Sequence, residues 1–217
     1  MEELLKKIEK KFPQYKFNNP KKLGSGENGV AYDIGNDIVL KITQSASEAH
    51  ASAVVKNEKL RYVNDIYDVF SFDYEGKVKY LIFQELLKPI TDEESRNMID
   101  DFCEFIMQKR DYWELTFPKQ GIIKATNAFF KFCKGEEYYD RYLDQKPFFK
   151  TLYEFIMRSV RELHNYHIDF EDYNSGNIML DNKGEYKLID LMSYYTPKRK
   201  IPHKILESFK ERFNRRN

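Results

Sequence analysis

Around Pro89 the apolar residues of this chain change their spacing from every second position to every third or fourth, so a block of strands must give way to helices. From Lys21 the run KKLGSGENGVAYDIGNDIVLKIT alternates glycine-marked turns with β-branched stretches. That predicts three consecutive antiparallel strands, with a tight turn at Gly35-Asn36-Asp37. Ile66 to Phe72 and Val78 to Leu86 read as a further strand pair joined at Glu75-Gly76, and alanine-rich Ser45 to Leu60 reads as a helix between the two groups. Leu5, Ile8 and Phe12 place a short amphipathic helix over Glu2 to Phe12. Beyond Pro89, Thr91-Asp92-Glu93-Glu94 forms a capping box that opens a helix with Met98, Ile99, Phe102, Phe105 and Ile106 on its apolar stripe. A second long helix follows Pro147, with Phe149, Leu152, Ile156, Val160 and Leu163 on one face. Trp113 to Gln145 is aromatic-rich and irregular, and its pattern assigns no element. The fold class expected is α+β.

At 217 residues and 26.1 kDa the chain buries one good core, or two small lobes sharing an interface, but not two large independent domains. Its formal net charge of +1 argues against a bulk nucleic-acid binder. The charge is unevenly placed, because Lys198 to Asn217 holds eight Lys/Arg against two Glu, and subtracting that +6 from +1 leaves −5 for the rest. Ile201, Ile205, Phe209 and Phe213 recur every four residues there, which reads as a solvated basic helix packed by its apolar side. The alternative is a docking surface for an acidic partner, nucleic acid or a phosphorylated substrate. Cys103 and Cys133 form no CxxC pair, and the histidines show no metal-ligand spacing, so reduced thiols and no structural zinc are expected. No apolar run approaches the roughly 18 residues needed to span a bilayer, which leads us to expect a cytoplasmic protein with no membrane partner.

Three groups of residues carry chemistry. Gly24-Ser25-Gly26-Glu27-Asn28-Gly29-Val30 fits GxGxxGxV between two strands, where a backbone without Cβ can approach phosphates and offer its amide N–H groups; a plain glycine-rich hairpin is the commoner cause of such a pattern. Lys41 lies inside the apolar strand Val39-Leu40-Lys41-Ile42. Alone it reads as a snorkelling edge lysine, but one strand after the glycine-rich hairpin it reads better as a cation for phosphates. Glu48 is the favoured carboxylate to hold it, and Glu58 is the alternative. Asp172, Asn177 and Asp190 form the third group, at the end of the second long helix and of the short strands Ile178 to Leu180 and Tyr186 to Ile189. An Asp or Asn in a turn usually caps backbone groups, but an acidic residue ending an apolar strand seldom helps packing.

Taken in order, these residues make Leu23 to about Met192 resemble the protein-kinase family. The resemblance implies a bilobal kinase-like fold: a five-stranded N-lobe with one helix over 1–86, and a shortened, mainly helical C-lobe over 87–217. It implies an ATP- and magnesium-dependent phosphotransferase. Gly24, Gly26, Gly29 and Val30 would cover the nucleotide, Lys41 braced by Glu48 would bind its phosphates, and Glu85 to Leu87 would be the hinge for adenine, with Gln84 at the back. Asp172 would orient the acceptor hydroxyl, while Asn177 and Asp190 would hold magnesium.

The departures shape the acceptor and the control. Phe170-Glu171 stands where the family has His-Arg, so activity without activation-loop phosphorylation is expected. Asn174 replaces the lysine of Ser/Thr kinases, Asp190-Leu191-Met192 replaces Asp-Phe-Gly, and Ser193 to Asn217 carries no Ala-Pro-Glu signature. The peptide-docking lower lobe is thus expected to be missing, as in compact bacterial and phage kinases, with Lys88 to Lys146 supplying substrate contacts. The first expectation is a minimal Ser/Thr protein kinase, able to phosphorylate itself. The alternatives are a small-molecule kinase and a catalytically silent nucleotide-binding module acting through its basic tail.

Overall fold

The computed structural model describes residues 2–26, 28–56, 58–108, 127–134, 142–168, 170 and 172–191. The basic tail, Glu171, Met192 and most of the aromatic-rich stretch lie outside the described residues.

The fold is α+β. Helix α1 (Glu2–Lys11) precedes strands β1 (Lys21–Ser25), β2 (Gly29–Gly35) and β3 (Ile38–Thr43); α2 (Ala46–Val55) leads to β4 (Ile66–Tyr74) and β5 (Lys77–Glu85). These strands form one antiparallel sheet in the order β1-β2-β3-β5-β4. Register then sorts its side chains. Lys41 pairs with Ala31 and Ile82, which puts those three on one face, while Leu40, Tyr32 and Phe83 pair on the other. The second face is buried by α1 and the segment after it. Leu4, Ile8, Phe12 and Tyr15 pack against Tyr32, Ile34, Leu40, Ile42, Leu81 and Phe83, with Tyr15 stacked 3.7 Å from Phe83. Covering one face with α1 leaves the face of Lys41 for a cleft.

The turn at Gly35-Asn36-Asp37 forms with all three residues at positive φ, and Asp33 Oδ1 accepts the Gly35 N–H at 2.8 Å. Helix α2 is shorter than expected, ending at Val55 rather than Leu60. Lys56 turns extended (ψ 127) and its ammonium pairs with Asp68 on β4, which frees residues 61–65 to reach the second half of the chain.

That half contains the edge strand β6 (Lys88–Pro89), α3 (Glu93–Gln108), a helical segment α4 over 127–133, α5 (Lys146–His164), β7 (Ile178–Leu180) and β8 (Tyr186–Leu188). Asp92, not Thr91, caps α3: its Oδ2 accepts the Ser95 N–H at 2.7 Å, so the capping box is shifted by one residue. The buried surface of α5 is wider than the expected stripe, because Tyr153, Phe155 and Met157 are buried as well. Strands β6, β7 and β8 make a small second sheet, and the β6 pairing with β7 has no signal in the sequence.

One core cluster runs across the expected boundary at 86/87, joining Ala51, Val55 and Ile82 to Phe102, Phe149, Leu152 and Leu188. The loop before β4 is its seam. Leu188 donates to the Tyr62 carbonyl at 2.8 Å, Asn64 donates to the Leu188 carbonyl at 3.0 Å, and the Glu162 carboxylate on α5 accepts the Arg61 and Tyr62 N–H groups at 2.8 Å each. Among the described residues, no helix is long and apolar enough to cross a membrane.

Candidate functional site

A cleft of about 630 Å³ opens between the Lys41 face of the sheet and the segment from β7 to Asp190. Its roof is the β1–β2 hairpin, where Gly24, Gly26, Gly29 and Val30 all line the space. The three glycines are there for different reasons. A Cβ on Gly29 would lie 2.4 Å from the Ile42 carbonyl oxygen, so strand pairing alone demands glycine there. A Cβ on Gly24 or Gly26 would meet nothing within 4 Å. Packing does not demand glycine at those two positions, and a side chain there would project into open space.

Lys41 projects into the cleft from β3. Its ammonium lies 2.6 Å from Glu48 Oε1 and 2.6 Å from Asp190 Oδ1, so a strand, a helix and the segment after β8 meet at one nitrogen. Ser45 fixes the start of α2 by accepting the Glu48 N–H at 3.1 Å. Glu48 is 2 % exposed, and burial pushes its carboxyl above the usual carboxylate range against the pull of Lys41, with the charge of Asp190 adding to the rise. Glu58, the other sequence candidate, is elsewhere and accepts the Tyr166 hydroxyl at 2.9 Å. One ammonium faces two carboxylates here. Glu48 Oε2 is buried without a donor, and Asp190 Oδ1 has the Lys41 ammonium as its ion-pair partner but accepts no well-aligned hydrogen bond, so the pocket floor has spare negative capacity. Asp190 itself sits at φ 58, a left-handed conformation that turns the chain sharply after β8.

Asp172 and Asn177 are joined directly. Asn177 Nδ2 donates to Asp172 Oδ2 at 2.8 Å and to the Asp172 carbonyl at 2.9 Å. Asn177 lines the cleft beside Asp190, whereas Asp172 stands outside the lining residues and is exposed. The Ile189 N–H donates to the Asn177 carbonyl at 3.0 Å, which keeps the two cleft-facing residues in fixed relation. Asn174, which the sequence marks only as a departure, organises this loop: its amide donates to Asp172 Oδ1 at 2.9 Å and its carbonyl oxygen accepts the N–H groups of Gly176 and Asn177.

At the cleft's inner edge Glu85 and Leu87 line the space with Gln84, and the Leu86 N–H is tied to the Asp37 carbonyl at 2.9 Å. Lys187 joins this edge without having been expected there. Nearly buried, it reaches across from β8 to Glu85 Oε2 at 3.1 Å and Asp65 Oδ1 at 3.8 Å. No sequence signal marks it, since a lysine in a short strand carries no partner information.

No known protein-family model matches this sequence, and no curated protein matches it either.

Among the described residues no group of three His, Cys, Asp or Glu side chains could hold a metal ion. Magnesium does not require one, because it keeps several waters and takes one or two protein oxygens plus phosphate. Asp190, with a buried oxygen short of hydrogen-bond donors, and Asn177 beside it fit that demand.

Proposed function

We propose that this chain is an ATP- and magnesium-dependent phosphotransferase of protein-kinase-like bilobal architecture, with a serine or threonine hydroxyl of a protein, its own included, as acceptor. The observation that carries this reading is the junction of Lys41 with both Glu48 and Asp190, on the floor of a cleft roofed by Gly24 and Gly26.

Each residue then has a physical task. Lys41 holds the α- and β-phosphate oxygens, and Glu48 keeps its ammonium aimed into the cleft. The side-chain-free backbone at Gly24 and Gly26 lets the phosphates approach the hairpin closely. Asn177 and Asp190 would hold magnesium, which when bound supplies neutralisation of phosphate charge. Asp172, outside the nucleotide cleft and oriented by Asn174 and Asn177, accepts a hydrogen bond from the acceptor hydroxyl and takes its proton. Its exposure suits a group that must meet a second substrate. Transfer then depends on positioning and electrostatics, with no covalent enzyme intermediate required.

Asn174 favours a second reading, a small-molecule hydroxyl as acceptor. Its side chain is consumed by Asp172 and two loop amides, so this position offers no cation to steer a protein-bound hydroxyl.

The test is incubation of the purified chain with γ-labelled ATP and magnesium, alone and with casein, beside Asp172→Ala and Asp190→Asn. Label on protein that falls about a thousandfold in both variants supports the first reading. ATP consumption without labelled protein favours the second. Stabilisation by ATP with neither transfer nor hydrolysis would leave a silent nucleotide-binding module and overturn both.

A further inference from the structure

We infer that Asp100, on α3, is a positioning residue for the proposed transfer, holding the loop that carries Asp172 and Asn177 through a two-pronged grip on Ser175. The inference rests on the phosphotransferase reading.

Loop residues 172–175 alternate in direction. Asp172 is exposed and Asn174 partly so, while Tyr173 and Ser175 are buried. The outward pair is turned toward solvent, and the inward pair is held by helices. Tyr173 has its hydroxyl 3.1 Å from Ser159 Oγ on α5 and its ring edge-on to Phe170, with centroids 4.8 Å apart. Ser175 is held from the other side. Its N–H donates to Asp100 Oδ1 at 2.6 Å, and its hydroxyl donates to Asp100 Oδ2 at 2.8 Å.

Both oxygens of one carboxylate are thus spent on one residue, 75 positions away, in short charge-assisted bonds. The three successive amides of Ser175, Gly176 and Asn177 all donate to side-chain oxygens. The last two use Asn174 within the loop, and only the first uses a separate element. Asp100 is itself fixed, because its neighbours Ile99, Phe102 and Cys103 are all at most 1 % exposed in the main core. The route runs from the core through α3 and Ser175 to the loop's reacting side chains. Without Asp100 the N–H and hydroxyl of a buried residue lose their acceptor, and the loop must shift to hydrate them. A shift near 1 Å at reacting groups costs on the order of a hundredfold in rate.

The adjacent Asp101 supplies a matched control. It belongs to the same helix and accepts a hydrogen bond from the buried Tyr142 hydroxyl at 2.8 Å, away from the loop.

The experiment measures steady-state transfer and hydrolysis of γ-labelled ATP with magnesium and casein, for the full chain and for D100A, D100N, S175A and D101A. Nucleotide-induced thermal shift reports folding in each. D100A should lose tenfold to a hundredfold in kcat, on the order expected of misplacement, with KM for ATP within about threefold. D100N keeps an oxygen for the Ser175 N–H and an amide for its hydroxyl, and should recover most of that loss. D101A should keep native kcat even where its thermal midpoint falls. Native kcat in D100A, an equal loss in D101A, or a loss confined to KM would overturn the assignment while leaving the phosphotransferase reading intact. If D100A does not fold, S175A carries the test with an expected loss of about threefold in kcat from the single missing bond, and unchanged kcat there overturns it. Absence of both transfer and hydrolysis in the native chain would overturn the reading and the assignment together.

Discussion

Lys41 Nζ lies 2.6 Å from Glu48 Oε1 and at the same distance from Asp190 Oδ1. One nearly buried ammonium therefore ties the five-stranded sheet to α2 and to the turn after β8. Any change at one of the three charged groups is felt at the other two, since the low-dielectric surroundings screen them little.

Replacing Lys41 by Met should cost more stability than an ordinary surface change. Glu48 and Asp190 would then face each other without a cation. The loss expected at neutral pH is about 2–3 kcal/mol, below the value for a fully buried pair because Asp190 is about a third exposed. Urea unfolding checks this. The deficit should shrink in acid, where a carboxylate takes up a proton; a deficit that grows in acid would contradict it.

The glycines should separate by function. Gly29→Ala places a methyl 2.4 Å from a backbone carbonyl and should destabilise the fold by about 1–3 kcal/mol. Gly26→Ala has open space and no positive φ, so its stability should stay within about 0.5 kcal/mol of native while nucleotide affinity falls. Calorimetric titration with ATP beside denaturant unfolding distinguishes the two. Equal behaviour of the variants would remove the case for Gly26 as a ligand contact.

Stability should depend on pH through two carboxylates of opposite sign. Burial raises Glu48, so its folded form holds a proton more tightly than its unfolded form; its contribution is full below the ordinary carboxylate value and lost as pH rises through the raised one. For Asp68 burial acts upward too, but hydrogen bonds from Lys56 and Tyr15 outweigh it and lower the value. Its contribution is present above the ordinary value and lost as pH falls. Glu48→Gln should flatten the upper limb of the urea midpoint against pH, and Asp68→Asn the lower limb. Flattening of the opposite limb in either variant would refute these signs.

Lys187→Met should weaken the inner edge of the cleft. The lysine is 12 % exposed and bridges Glu85 and Asp65, so its removal leaves two neighbouring carboxylates without their shared cation. A loss of about 1–3 kcal/mol is expected, with ATP affinity reduced as Glu85 moves. Thermal unfolding with and without ATP measures both.

Much of this fold was legible in the order of residues. Period-two alternation over 21–43 and 66–86 fixes which side chains share a sheet face, so β1 to β5, the turn at Gly35-Asn36-Asp37 and the apolar faces of α1, α3 and α5 follow from local chemistry. The spacing of Gly24, Lys41, Asp172, Asn177 and Asp190 likewise singled out the residues that meet at or beside the cleft. The choice of Glu48 over Glu58 was different in kind. Both lie in one stretch of sequence, and it took the early end of α2 at Val55, beyond which Lys56 pairs with Asp68, to leave Glu58 on Tyr166.

Elements and candidate chemistry could be read from the chain alone because period, turns and charge are local properties that each segment carries within itself. Partners across the fold are another matter. The pairing of β6 with β7, the reach of Lys187 to Glu85 and the grip of Asp100 on Ser175 join residues 75 to 102 positions apart. Such contacts arise only when the shared core brings the two halves together. A side chain's partner across that distance is set by packing geometry, and no local pattern encodes it.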